Sequence, residues 1–140
     1  MDLVCPGLGT VAIHQGSSDG KLYTFDIFSW DSFQTYLQPS DFEHGVTQII
    51  SDLSQETEFN KHLALLNEAD VIFMDAPKDG VFEYAFTRLS QRLEPKQNKL
   101  LVIDDIRFVN MVDLWRSIKS PKLDFSSFGH WSGTGLVDIS

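Results

Sequence analysis

The chain has one cysteine, Cys5, among its 140 residues. One cysteine cannot form an internal disulfide, and it cannot build a zinc site that needs several cysteines. No apolar run approaches the roughly 20 residues of a membrane-spanning helix, and Asp2 stands where a signal peptide carries basic residues. We therefore expect a soluble, cytoplasmic protein without a membrane partner.

Basic residues are also scarce in this chain. It has 11 Lys and Arg against 20 Asp and Glu, which gives a formal net charge of -9, and the basic residues form no cluster. A surface that follows a phosphate backbone needs such a cluster, so nucleic acid is not an expected partner. The length suits one domain over residues 1–140, and no repeat, low-complexity segment or linker interrupts it.

Two short apolar runs that end in acids, residues 70–75 and 99–104, organise the rest of the chain. A helical pattern separates them, with apolar residues at Phe82, Ala85, Phe86, Leu89 and Leu93. This arrangement is typical of neighbouring parallel strands in an α/β sheet. Because the carboxyl ends of such strands lie at one edge, where open sheets bind ligands, we expect Asp75, Asp104 and Asp105 to converge there.

Two adjacent aspartates favour a functional interpretation of the second strand end. Ionised carboxylates are costly to bury unless a cation or hydrogen-bond donors neutralise them. Asp104 and Asp105 are therefore candidate ligands, with a solvated loop as the alternative. After the first run, Pro77 ends the strand and Asp79 is placed to cap the next helix.

A glycine loop near the start of the chain predicts a nucleoside site. Gly7 and Gly9 follow an apolar run at residues 2–5, and glycines there let the backbone approach a ligand closely. A tight surface turn is the alternative. Asp26 closes a predicted strand at residues 21–27 and follows Gly7 by 19 residues. A carboxylate about 20 residues beyond a glycine loop is placed to accept hydrogen bonds from ribose hydroxyls. The alternative for Asp26 is an exposed acid at a strand end.

The remaining patterns predict further helices and strands. Residues 31–38 predict a helix that Asp31 caps and Pro39 ends. Residues 47–51 predict a strand that ends at Asp52, which is placed either to reach an adenine or to lie in a turn. Residues 54–68 predict a helix with packing residues at Phe59, Leu63 and Leu66.

The end of the chain predicts one more helix and a hairpin. Residues 109–118 predict a helix with Val112 and Trp115 facing inward. Residues 122–140 alternate apolar and polar side chains around Gly133 and Gly135, which predicts an antiparallel hairpin.

These features together resemble a class I S-adenosylmethionine-dependent methyltransferase. The most specific parts are Asp75-Ala-Pro-Lys78-Asp79 and Leu101-Val-Ile-Asp-Asp105, which are similar to the catechol O-methyltransferase-like group. The resemblance implies an α/β fold of the Rossmann-like methyltransferase type, with a mostly parallel sheet and a C-terminal antiparallel hairpin. It also implies methyl transfer to an oxygen or nitrogen nucleophile of a small-molecule substrate.

The resemblance implies roles for individual residues as well. Asp75, Asp104 and Asp105 would hold Mg²⁺ or another divalent cation, and Lys78 would help to deprotonate the substrate hydroxyl. Gly7 and Gly9 would lie beside the methionine part of S-adenosylmethionine, with Asp26 on its ribose. The expected catalytic residues are Lys78 and Asp75, and the expected cofactor-binding residues are Gly7, Gly9, Asp26, Asp52 and Asp75.

Two other functions remain open at this point. Gly7-Leu-Gly9-Thr-Val-Ala12, with Asp26 further on, also satisfies the loose fingerprint G-x-G-x-x-A of an NAD-binding Rossmann domain. The other hypothesis is a degenerate, inactive methyltransferase-like domain that acts by self-association, for example as a homodimer. Its motivation is the short stretch 10–20 between the glycine loop and the next strand, since parallel connections need about a dozen residues or more. Family members also carry helices ahead of the first strand, and this chain starts almost at that strand.

Overall fold

A computed structural model describes residues 8–16, 20–32, 36–129 and 131–140 of the chain. These residues form a mixed α/β protein that divides into two units, Met1–Asp52 and Leu53–Ser140. The first unit contains a two-stranded sheet and the second a four-stranded sheet. The strand expected at residues 2–5 lies outside the described residues, and the assignment of one domain to residues 1–140 stays a prediction.

The described residues of the first unit include two parallel strands and two α-helices. They are α1 (Leu8–Gly16), β1 (Leu22–Asp26), α2 (Pro39–Glu43) and β2 (Val46–Ile50). Strand β1 pairs with β2 in parallel, so that Leu22 lies opposite Val46 and Asp26 lies opposite Ile50. The carboxyl ends of both strands therefore lie at the same edge of this sheet.

Pro39 begins a helix, whereas the sequence predicted that it would end one. The described part of residues 31–38 contains only the end of a short 3-10 helix, Trp30–Ser32, and the α-helix follows from Pro39. Proline suits the first turn of a helix because the N–H that it lacks would have no partner there. Asp41 completes this start, since its Oδ2 accepts a hydrogen bond from the Gln38 N–H at 2.7 Å.

The second unit alternates helices with strands. In chain order it contains α3 (Glu56–Lys61), α4 (Leu63–Glu68), β3 (Val71–Met74), α5 (Val81–Ser90), β4 (Leu100–Asp104), α6 (Val109–Ser117), β5 (Lys122–Asp124) and β6 (Thr134–Asp138). The strand order is β3-β4-β6-β5. Strands β3 and β4 are parallel, and β6 is antiparallel to both β4 and β5. The predicted parallel neighbours and the predicted C-terminal hairpin are both confirmed.

Two helices differ from their predicted form. The helix expected at residues 54–68 is broken at His62, whose N–H bonds back to Phe59 three residues earlier and tightens the end of α3. In α6 the buried residues are Met111 and Leu114, whereas Val112 and Trp115 are only partly buried. Trp115 lies over Gly135 of β6, where a side chain would collide with its ring. Among the described residues no helix is long and apolar enough to cross a membrane.

The core of the second unit lies between one face of the sheet and the helices. Leu101, Ile103 and Val137 follow the period of two on neighbouring strands, and each is 1% exposed. Helix α5 contributes Phe86, which contacts the fully buried Phe59 of α3 with ring centroids 5.9 Å apart. This contact joins α3 to α5, the helix that follows β3.

Candidate metal centre

Asp75, Asp104 and Asp105 converge at the carboxyl edge of the second sheet. Each residue offers a carboxylate oxygen, and these oxygens lie within 4.8 Å of one another. Asp75 follows β3 directly, and Asp104 is the last residue of β4. Because the two strands are parallel neighbours, with Met74 opposite Ile103, both strand ends reach the same point.

Lys78 lies among these carboxylates. Its Nζ forms ion pairs with Oδ1 of Asp75 and, at 3.0 Å, with Oδ2 of Asp105. The side chains of Lys78 and Asp105 are 16% and 14% exposed, against 37% for Asp75. Burial lowers the pKa of Lys78, but hydrogen bonds and charge from Asp75 and Asp105 outweigh burial and leave this pKa raised. While these contacts last, Lys78 serves the site as a cation and not as a base.

The backbone at the centre adopts unusual conformations. Lys78 and Asp105 have φ values of 60° and 58°, in the left-handed region that side chains other than glycine rarely adopt. Hydrogen bonds from neighbouring parts of the chain fix the backbone at Lys78 and directly after Asp105. The Asn110 side chain donates a hydrogen bond to the Lys78 carbonyl at 3.4 Å, and the Ile106 N–H bonds to the Gly133 carbonyl at 3.2 Å. Backbone strain of this kind is concentrated at functional sites.

Glu83 is a part of the site that the sequence analysis missed. This carboxylate is buried, with 1% exposure, and it holds the loop between β3 and α5. Its Oε1 accepts the Lys78 N–H at 2.6 Å, and its Oε2 accepts the Gly80 N–H at 3.0 Å. The signal was present as an acid three residues after Gly80, which is the capping-box position. A glycine at the N-cap made this signal harder to recognise than a serine or threonine would have.

Replacing Glu83 with glutamine is expected to lower the free energy of unfolding by about 1–3 kcal/mol. An amide offers one acceptor oxygen where two N–H groups need acceptors, so one of them loses its partner in a buried place. Urea denaturation followed by circular dichroism measures the change. Glu68→Gln, at an exposed position, is the control and should stay within about 0.5 kcal/mol of the wild type. Equal losses in the two variants would contradict the role of Glu83.

The donor set suits a hard divalent cation. Carboxylate oxygens are the ligands that Mg²⁺ and Ca²⁺ prefer, and two ligands on opposite sides of an ion are separated by twice the metal–oxygen distance. This separation is about 4.0–4.2 Å for Mg²⁺ and about 4.6–5.2 Å for Ca²⁺. The separations, all within 4.8 Å, lie in the range that Ca²⁺ ligands span, whereas Mg²⁺ would require the carboxylates to move closer together. Water or substrate oxygens would complete either coordination shell.

Two predicted cofactor residues lie at the strand ends of the first unit. Asp26 is the last residue of β1, is exposed, and accepts a hydrogen bond from the Phe28 N–H at 3.0 Å through Oδ1. Asp52 follows β2 by two residues and is partly buried. Since β1 and β2 are parallel, both acids lie at the carboxyl edge of their sheet. Ile27 and Phe28, directly after Asp26, are 58% and 53% exposed.

The predicted glycine loop has a different form from the one expected. Gly9 is the second residue of α1, because the helix already begins at Leu8. The helix that follows the glycine loop therefore begins earlier than expected, and Gly9 lies in its first turn; its contact with a cofactor stays a prediction. Gly7 lies outside the described residues, and its contact with a cofactor stays a prediction.

Comparisons of the chain with family models, with curated proteins and with solved structures find no match.

Proposed function

We propose that this chain is an S-adenosylmethionine-dependent methyltransferase domain that acts in the cytoplasm, with a divalent cation, on an oxygen or nitrogen nucleophile of a small molecule. The convergence of Asp75, Asp104 and Asp105 within 4.8 Å carries this proposal. The same three acids, with Lys78, are the set that the resemblance to the catechol O-methyltransferase-like group implies. The parallel pair β3–β4 and the hairpin β5–β6 also support the Rossmann-like fold of that group.

The carboxylates and Lys78 would have different roles at the methyl acceptor. When bound, a divalent cation would lower the pKa of a substrate hydroxyl that it coordinates. Asp75, Asp104 and Asp105 would hold this cation. Asp104 is the last residue of β4, and its Oδ1 accepts a hydrogen bond from the Thr134 hydroxyl at 3.4 Å. Lys78 lies beside the same carboxylates as an ammonium group. It would act as a base on the acceptor only after it has left Asp75 and Asp105 and has released its own proton to solvent. Methyl transfer then depends on positioning and electrostatics, which these fixed side chains provide.

Asp26 is proposed to bind the ribose of the cofactor. A carboxylate at the end of a strand can accept hydrogen bonds from both ribose hydroxyls. Exposed apolar side chains at Ile27 and Phe28 lie next to it in sequence and offer a surface for the flat face of the adenine. The cofactor, when bound, supplies the methyl group.

Titration with S-adenosylmethionine, with and without Mg²⁺, tests the proposal. At 100 times its Kd, a ligand that binds only the folded protein stabilises it by about 2.7 kcal/mol, which raises Tm by roughly 5–10 °C. We expect this rise with S-adenosylmethionine and none with NAD. Asp26→Asn should reduce the rise, whereas Asp31→Asn, at another exposed acid of the first unit, should leave it unchanged. A rise with NAD alone would favour the dinucleotide-binding function instead.

One observation favours the second candidate, an inactive domain that acts by self-association. Lys78 already pairs with Asp75 and Asp105, so these two carboxylates have a counter-ion without any metal. Such a domain would not bind S-adenosylmethionine, and it would sediment as a homodimer in analytical ultracentrifugation. A monomer that binds the cofactor at micromolar concentration would exclude this candidate.

A further inference from the structure

The Lys78 ammonium occupies a place that a metal ion would need. Its Nζ contacts one carboxylate from each of the two strand ends, Asp75 after β3 and Asp105 after β4. An ammonium group donates hydrogen bonds and accepts none, so it satisfies carboxylates in the way that a cation does. Two of the three acids, Asp75 and Asp105, thus have an internal counter-ion in the loop between β3 and α5.

We propose that Lys78 competes with the divalent cation for the carboxylates, and that the cation must displace the Lys78 ammonium in order to bind. This inference rests on the proposed function, since it concerns the regulation of the same centre. A metal ion at about 2.0–2.6 Å from these oxygens would lie next to the ammonium. Like charges a few Å apart repel strongly, so the two cations cannot share Asp75 and Asp105.

The loop allows the side chain of Lys78 to move away from the carboxylates while the backbone of Lys78 keeps its position. Glu83 accepts the Lys78 N–H and Asn110 donates to the Lys78 carbonyl, so both backbone groups are anchored by side chains outside the carboxylate cluster. The flexible four-carbon stem of lysine can turn aside by rotamer changes alone. After the exchange, Lys78 would remain at the rim of the centre without carboxylate partners. Metal loading would therefore make its amine available to the acceptor.

Isothermal titration with MgCl₂ at constant ionic strength tests the competition. Lys78→Met removes the ammonium and keeps an apolar stem of similar length, so we expect its Kd for Mg²⁺ to fall at least about tenfold below that of the wild type. Lys78→Arg keeps a charge and should bind no more tightly than the wild type. Lys61→Met is the matched control, because Lys61 also pairs with an acid, Glu58, but on the exposed surface of α3. Its Kd should not change.

The outcomes separate this inference from the function on which it rests. Equal Mg²⁺ affinities in the wild type and in Lys78→Met would overturn the competition and leave the metal centre intact. Absence of Mg²⁺ binding in both proteins would overturn the competition together with the metal site. Binding in Lys78→Met alone would support the inference. Lys78→Gln provides a second neutral variant if the methionine variant does not fold, and S-adenosylmethionine binding to the wild type tests the proposed function separately.

Discussion

Replacing Asp75 with alanine is expected to abolish metal-dependent methyl transfer and to leave the protein folded. The variant loses one of three carboxylates, and the remaining pair of acids, Asp104 at the end of β4 and Asp105 after it, would hold a divalent ion much less tightly. We expect turnover to fall by a factor of about 100 or more, as when one electrostatic contact to a reacting group is removed. Folding should persist because Asp75 is 37% exposed and Lys78 keeps its pair with Asp105. The measurement is methylation of small phenol and amine acceptors that the wild type uses.

Asp79→Ala is the control for this prediction, since Asp79 lies in the same loop, one residue before Gly80 at the N-cap of α5. Its Oδ1 accepts the Val81 N–H at 2.7 Å, and Asp79 does not belong to the acidic cluster. This variant should lose about 1 kcal/mol of stability and keep its turnover. Removal of metal with EDTA should reproduce the effect of Asp75→Ala. Unchanged turnover in Asp75→Ala would exclude the metal mechanism.

Replacing Phe59 with alanine is expected to lower the free energy of unfolding by about 3–5 kcal/mol. Phe59 is fully buried and contacts Phe86 of α5, so the substitution removes a large apolar side chain and leaves a cavity. A loss of this size is a large fraction of the roughly 5–15 kcal/mol that keeps a typical domain folded. Urea denaturation followed by circular dichroism measures the loss.

Phe128→Ala is the matched control for Phe59→Ala. It makes the same chemical change at a side chain that is 87% exposed, so the stability should change by less than about 0.5 kcal/mol. Similar losses in the two variants would contradict the position of Phe59 in the core.

The sequence predicted best the features that depend on local pattern. Short apolar runs marked β3 and β4, and their acidic ends marked the point where Asp75, Asp104 and Asp105 meet. Parallel pairing is enough to bring these ends together, so no knowledge of side-chain packing was required. The alternation of apolar and polar side chains around Gly135 similarly predicted the hairpin of β5 and β6. A period of two is typical of a strand that buries one face.

Features that depend on tertiary contacts were not predictable from pattern alone. The inward residues of α6 shifted by one position, to Met111 and Leu114, because the neighbouring sheet decides which stripe of a helix is buried. Prolines can start or stop a helix, and only the chain around Pro39 decides between these outcomes. The role of Glu83 depends on the left-handed loop conformation at Lys78, which no periodicity reveals.

The position of β6 has a consequence for synthesis on the ribosome. This strand lies between β4 and β5, although it follows both of them in the chain. Strands β4 and β5 are synthesised before Thr134–Asp138, and neither can complete its hydrogen bonds until this last strand is available. A chain released before Thr134–Asp138 has been made would present an open strand edge to chaperones or to other chains. The last step in the folding of this sheet therefore waits until Asp138 has been translated.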